Sequence, residues 1–272
     1  FFLGGDSIKA IQAIAQMRNQ GYDFEIKNLL NSPKIKDLVF HIKQTQLNID
    51  QSEVSGEVEL TPIQQWFLEH DHINKDHFNQ GMLLFSKHGF REDRIGQAFD
   101  QIVQHHDLLR ATYIDKKLIN RKINNKLYDL RIYDLRGTEI ADDYITDVCT
   151  QIQASMRLVK GPLVKLGLFK TDKGDYLLVS IHHMVVDAKS WEIIIEDFET
   201  LYSGQEQKLP LKTTSFQEWS SKQARYARGP EIRDEFQYWN NLDQWGVKEL
   251  SKDNVPPSIV GAEIITKTIV LD

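Results

Sequence analysis

Residues 175–191 read DYLLVSIHHMVVDAKSW, and the order of residue types in this run decides the fold. Tyr176, Leu177, Leu178, Val179 and Ile181 form a short apolar run behind Gly174, which predicts a buried strand. Two adjacent histidines, His182 and His183, stand where that strand runs out. After a short loop comes SWEIIIEDFETLYSG, whose apolar spacing predicts a helix closed by Gly204. Neighbouring residues of a strand point to opposite faces, so only one of the two imidazoles can look into a given cavity. Asp187, four residues beyond His183, can fold back over the loop to brace a histidine or an arginine. As metal ligands the pair is poor, because no third histidine, cysteine or HExxH spacing accompanies it. A neutral imidazole at a strand end suits a base, since imidazole titrates near the working pH of most enzymes.

Working outward, strands and helices alternate without a strict βαβ rhythm. FNQGMLLFS reads as a strand and REDRIGQAFDQIVQHHDLLRATY as one long amphipathic helix, with Ile95, Phe99, Ile102 and Val103 on one face. KLYDLRIYDL and PLVKLGLFKT read as strands around the helical DDYITDVCTQIQASMRL. TPIQQWFLEH starts a helix with Pro62 near its first position, and Trp66 and Phe67 are its candidate core residues. Beyond residue 210 the chain reads as helical (FQEWSSKQARYA, EIRDEFQYWNNL) and then strand-like (IITKTIVLD). The pattern predicts a mixed α/β, or α+β, layered sheet from residue 58 onward.

The first 46 residues differ in character. DSIKAIQAIAQMRNQ is a helix with Asp6 or Ser7 as its cap, FEIKNLL a second short helix, and PKIKDLVFHIKQTQ a third. Three short helices make a small unit whose core is marginal alone. Residues 47–57, LNIDQSEVSGE, are polar and aperiodic and read as a linker.

Composition narrows the function classes. Hydrophobic residues make up 41% of the 272, which is enough for an ordinary globular core. A charge of -6 argues against general nucleic-acid binding, which needs a cationic surface. The longest apolar stretch, 176–186, is too short to span a bilayer and carries both histidines. Cys149 is the only cysteine, so no internal disulfide forms, and a reducing, cytoplasmic setting is expected.

The remaining feature is FFLGGDSIKAIQ, residues 1–12. Gly4 and Gly5 free the backbone before the helix and leave Ser7 unshielded at its first turn. Free amide donors and the positive dipole end there favour an anion. No general base lies nearby in sequence, so Ser7 reads as an attachment point or a plain cap and not as a nucleophile.

LGGDSIKAIQ resembles the attachment motif of carrier (thiolation) domains in nonribosomal peptide synthetases. The resemblance implies 4′-phosphopantetheine on Ser7, and a surface bordered by Ile8, Ile11 and Gln12 that partner domains read. Asp6 resembles the carrier variant that feeds an epimerisation domain. Carrier domains are four-helix bundles whose first helix precedes this motif, so residues 1–46 are expected to be a partial carrier. HHMVVDAKSW resembles the HHxxxDxxSW motif of the condensation and epimerisation superfamily, which has the chloramphenicol-acetyltransferase-like fold. By that resemblance His183 is the active-site base, His182 supports it, and Asp187 is a scaffold residue paired with an arginine that matches Arg110. Ala188 stands where the family usually has glycine. PIQQWF and HFNQ resemble epimerisation-type motifs, so residues 58–272 are expected to be the N-terminal lobe of an epimerisation domain.

The implied chemistry is removal of the Cα proton of an aminoacyl or peptidyl thioester and its return to the opposite face. The implied partners are an upstream adenylation domain, a downstream condensation domain and a phosphopantetheinyl transferase, with no nucleic acid, membrane or metal. The family's second acid/base, a glutamate in an EGHGRE motif, has no match in residues 192–272, so this stretch alone is expected to be inactive. Two alternatives stand: a condensation domain that forms a peptide bond, and a non-catalytic lobe with structural histidines.

Overall fold

The computed structural model describes residues 7–32, 34–44, 49–69, 74–123, 126–138, 142–204 and 208–243. Asp6, the glycines before it and the strand-like run near residue 265 lie outside them. The chain forms two compact units, residues 1–52 with 210–214, and 53–209 with 215–272.

In the smaller unit, α1 (Ser7–Asn19) is followed by β1 (Tyr22–Asp23), α2 (Ile26–Asn31), α3 (Ile35–Leu38) and β2 (Lys43–Gln44). Ile14, Phe24 and Leu38 form its core. The third helix expected from PKIKDLVFHIKQTQ is short. It tightens into a 3-10 turn at Val39–His41 and then becomes extended, because Lys43 and Gln44 pair with Asp23 and Tyr22. The unit is therefore helical with one small antiparallel ladder, and not all-α among the described residues. Residues 210–214 belong to it through Gln51, whose Oε1 accepts from the Lys212 amide at 2.8 Å.

The larger unit begins with β3 (Gly56–Val58), α4 (Pro62–Glu69), β4 (Asn79–Ser86) and α5 (Glu92–His105). The hairpin of β5 (Ala111–Ile114) and β6 (Lys117–Asn120) follows, then β7 (Asp129–Asp134) and α6 (Asp142–Ala154). The chain continues through β8 (Val164–Thr171), β9 (Gly174–His182), α7 (Ala188–Ser203), α8 (Phe216–Ala227) and α9 (Glu231–Asp243). The main sheet runs β4-β9-β8-β7, with β7 and β8 parallel through α6 and the other pairs antiparallel. It is a mixed sheet, as expected. A second sheet, β3-β6-β5, takes in Gly56 and Glu57, so the polar linker ends sooner than its composition suggests.

The sheet lies between helices. Ile95, Phe99 and Ile102 of α5, with Trp191, Ile194 and Phe198 of α7, pack against Leu166, Leu168, Leu177 and Val179. Ile145, Val148 and Ile152 of α6 cover Phe169 and Leu178 on the opposite face. Gly167 allows this second contact, because a Cβ there would stand 2.6 Å from the Ile152 Cδ1. Gly204, at φ 72°, closes α7 as expected.

The long helix expected over 91–113 stops at His105. Asp107–Arg110 turns as a 3-10 helix, and Ala111–Ile114 is strand. The cause is Arg110, whose side chain is 0% exposed. Its Nη1 donates to the carbonyls of Val103 and Gln104, both at 2.8 Å, which caps the last turn of α5. Its Nη2 donates to Asp107 Oδ1 at 2.7 Å and to the Val54 carbonyl at 3.0 Å, and its Nε to the Arg121 carbonyl at 3.1 Å. A guanidinium has five N–H donors, and all are used. A continued helix would have carried Arg110 away from these acceptors.

Replacing Arg110 by leucine takes the guanidinium away from the buried Asp107 carboxylate and from four carbonyls. We expect the larger unit to lose about 3–5 kcal/mol in urea unfolding at pH 7. Asp107→Asn, which keeps an acceptor for Nη2, should lose less than half as much.

Candidate active site

The two histidines have separate lives. His182, the last residue of β9, is 0% exposed. Its Nδ1 accepts from the Met184 amide at 3.1 Å, so its Nε2 carries the proton and donates to the Lys75 carbonyl at 2.9 Å. Both nitrogens are committed to backbone, and burial holds the ring below the usual histidine range and therefore neutral. His182 is a strut between the strand end and the turn before β4.

His183 is half-buried. Its amide donates to the Phe78 carbonyl at 2.8 Å, which prolongs the β4–β9 ladder past Asn79↔His182. Its ring stacks on Phe78, with centroids 5.0 Å apart and planes 18° apart, and Phe78 stacks in turn on Phe67 at 4.7 Å. The Nδ1 stands 2.7 Å from the Val186 carbonyl. A carbonyl only accepts, so Nδ1 holds the proton and Nε2 presents a bare lone pair. That lone pair faces the Gln80 side-chain nitrogen at 3.3 Å.

Three further groups shape this corner. Gln80 lies opposite Ile181 in the ladder, which puts it on the His183 side of the sheet. Its Oε1 accepts from the Trp191 indole N–H at 2.8 Å. Gln64, from PIQQWF, faces inward from its helix together with Phe67. Its Oε1 accepts from the amide and hydroxyl of Thr61 at 3.0 and 3.1 Å, and its Nε2 donates to the Met184 carbonyl at 2.9 Å. One side chain thus caps α4 and pins the loop just after His183. Of the two aromatics expected in the core, Phe67 is buried, whereas Trp66 is 51% exposed. The run HFNQ pointed to this region, but nothing in sequence singled out Gln80 or Phe78 within it.

The expected pairing of Asp187 with Arg110 is not made. Arg110 has no donor left, and the Asp187 carboxylate accepts from the Ser190 amide and hydroxyl, both at 2.7 Å, as the N-cap of α7. Those two donors hold it below the usual carboxylate range. Ala188, in the glycine position, is the first residue of α7 and needs no left-handed backbone. Ser7 opens α1 some way along the chain, in the other unit, and no acidic residue shares its first turn.

Among the described residues no group of three histidine, cysteine, aspartate or glutamate side chains could hold a metal ion. No described helix is long and apolar enough to cross a membrane. A cavity of about 360 Å³ opens beside Lys75, Asp76 and Tyr113 and does not reach His183.

Residues 54–262 match the family described as Condensation domain. The chain is 41% identical to Tyrocidine synthase 2 of Brevibacillus parabrevis over 251 residues, 89% of this chain and 7% of that protein. It is 40% identical to Bacitracin synthase 3 of Bacillus licheniformis over 264 residues, 94% of this chain and 4% of that protein. An alignment that takes in 94% of the chain includes most of the residues before 54. Among solved structures, the epimerization domain from the third module of tyrocidine synthetase B superposes with a TM-score of 0.72 at 41% identity. That match covers 76% of this chain and half of the solved one. The starter condensation domain of rhizomide synthetase, 17% identical with a TM-score of 0.59 over 72% of this chain and 51% of its own, shares the fold.

His182 gives a pH signature. Its folded pKa lies below the value near 6.5 that it has unfolded, so its contribution is complete above pH 6.5 and is lost as pH falls towards the folded pKa. This residue should account for part of the stability lost as the pH falls below 6.5. His182→Gln should flatten the pH dependence of the urea midpoint below pH 6.5.

Proposed function

The chain belongs to the condensation-domain family, and on that premise we propose that residues from about 58 onward are the N-terminal part of an epimerisation-type domain of a nonribosomal peptide synthetase. The observation that carries this reading is the bare Nε2 of His183, fixed by the Nδ1 bond to the Val186 carbonyl. The 41% identity to a tyrocidine synthetase epimerization domain, against 17% to a starter condensation domain, supports epimerisation over peptide-bond formation. The chain covers half of that epimerization domain and only 7% of Tyrocidine synthase 2, so the substrate and neighbours of the whole assembly are part of the proposal.

In this reading Nε2 takes the Cα proton of a thioester-bound aminoacyl or peptidyl group and the imidazole becomes imidazolium. The Val186 carbonyl holds the Nδ1–H in place through the step, so the ring needs no rotation to accept the charge. Phe78, stacked on the ring, excludes water from one of its faces. His182 takes no proton in this reading, because its two nitrogens hold the strand end.

Residues 1–46 are proposed as part of the carrier, with 4′-phosphopantetheine on Ser7. The start of α1 at Ser7, without an acidic residue in its first turn, suits a phosphodiester at that position. Ile11, exposed on α1, suits a surface that partner domains read. The arm would supply the thioester, which acidifies Cα. An adenylation domain, a condensation domain and a phosphopantetheinyl transferase are the corresponding partners.

The test is exchange of Cα hydrogen for deuterium in a synthetase that contains this chain and carries a loaded thioester. The wild type should exchange, and His183→Gln should exchange about 10²–10⁴-fold more slowly. Unchanged exchange in that variant overturns the role of His183. Peptide-bond formation without exchange would assign the domain to condensation. Coenzyme A and a transferase should add one arm by mass, and Ser7→Ala should abolish the gain.

A further inference from the structure

His183 presents its lone pair to an amide whose direction is itself dictated. An indole N–H can only donate, so the Gln80 atom 2.8 Å from Trp191 Nε1 has to be the oxygen. The other end of the amide, facing His183 Nε2 at 3.3 Å, is then the NH2 group. A donor opposite Nε2 is compatible only with an unprotonated nitrogen, and the Val186 carbonyl opposite Nδ1 requires a protonated one. The two constraints agree, and both lie within residues that meet through α7, β4 and the strand end.

We infer that Gln80 is a positioning residue that keeps His183 Nε2 unprotonated and aimed, and that Trp191 acts on the histidine through Gln80 by fixing which way the amide faces. The importance of this device for catalysis rests on the reading of His183 as the base, but its existence does not. Gln80 also covers the nitrogen it aims, so it has to release Nε2 when a substrate C–H takes its place. A neutral amide suits this duty, since its bond is weak enough to exchange. A charged partner would hold the proton and block the nitrogen.

Other titratable groups around the ring cannot do the same work. Asp187, at the start of α7, is held by Ser190. His182 has both nitrogens committed, and beyond it Lys75 donates to the Leu68 carbonyl and Asp76 accepts from the Leu158 amide. α4 contributes neutral Gln64, which bonds to the Met184 carbonyl and not to the ring.

The readout is the ring nitrogen shifts of the intact 272-residue chain labelled with 15N-histidine, at pH 7.5, with His183→Gln used to assign the resonance. In the wild type, His183 should show a pyrrole-type Nδ1 and a pyridine-type Nε2. Trp191→Phe frees the amide to turn its oxygen towards the ring, and the share of Nε2–H should rise at least about threefold. Gln80→Glu places an acceptor there permanently and should give Nε2–H in most molecules. Gln80→Met removes both donor and acceptor, leaves the Val186 carbonyl as the remaining constraint, and should give a share of Nε2–H between those of the wild type and Gln80→Glu.

A wild-type ring protonated on Nε2 overturns the inference, as does a Gln80→Glu chain whose Nε2 shift stays at the wild-type value. If Trp191→Phe fails to fold, Gln80→Glu decides alone, because Gln80 is not a core residue. These shifts are independent of catalysis. In a loaded synthetase, Cα exchange that is slower in Gln80→Glu than in Gln80→Met separates blocking of the nitrogen from mere loss of the amide. If the wild type shows the assigned tautomer but no exchange at all, the functional reading fails and the positioning stands.

Discussion

The larger unit hangs on one buried cation. Taking a guanidinium out of water costs several kcal/mol, and the cost is offset only if every N–H finds an acceptor. Arg110 achieves this by drawing together segments that are far apart in sequence: Val54 before β3, the last carbonyls of α5, Asp107 in the turn, and Arg121 after β6. The break at His105, the reversal into β5 and the position of the second sheet follow from that single requirement. The consequence reaches the site through packing. Phe99 of α5 meets Phe198 of α7 with ring centroids 5.4 Å apart, and the first turn of α7 carries the indole that grips Gln80.

The adjacent imidazoles show how backbone direction separates chemistry from structure. The side chains of residues next to each other at a strand end diverge, so His182 goes inward, to backbone on both nitrogens, and His183 goes to the rim. A lone imidazole inside would have two polar atoms to satisfy, and the turn at Lys75 and the amide of Met184 satisfy both. At the rim only one nitrogen is satisfied by backbone, and this asymmetry leaves the other for chemistry. The loop cannot drift, because its carbonyls at Met184 and Val186 are held from α4 and from the ring itself.

Much of this was legible in the residues. The short apolar run before His182, the helix closed by Gly204 and the mixed sheet could be read from local periodicity, because each depends on neighbours within a few positions. Choosing between His182 and His183 needed the family resemblance, since alternation says only that they differ. What escaped the reading depends on contacts across long stretches of chain. Arg110 was expected to meet Asp187, yet four backbone carbonyls and Asp107 hold it, and no periodicity records where carbonyls point. The first residues of β5 hid inside a helical pattern for the same reason. Trp66 looked like core and is half exposed, whereas Gln64, two residues earlier on the same helix, is buried and bonds to the Met184 carbonyl. Gln80 had no local signal at all: its meaning exists only once Trp191 and His183 stand on either side of it.

A single bare nitrogen also limits what any reaction here can look like. In the proposed role His183 Nε2 would meet one face of a substrate, and the ring would not turn to offer Nδ1, because the Val186 carbonyl already holds that proton at 2.7 Å. Removing and returning a proton through Nε2 alone therefore restores the configuration it started from. Inversion demands a second donor that approaches from the opposite side. Neither Asp187 nor His182 can be that donor: the first is spent on the cap of α7, and the second is sealed at the strand end. Under the proposed reading, an inverting partner would have to face Gln80 and His183 across the site, where Phe78 and Met82 are partly exposed. Under the proposed reading the stereochemical outcome would be set by what faces His183, while the Val186 carbonyl and the Gln80 amide set which nitrogen is the acceptor.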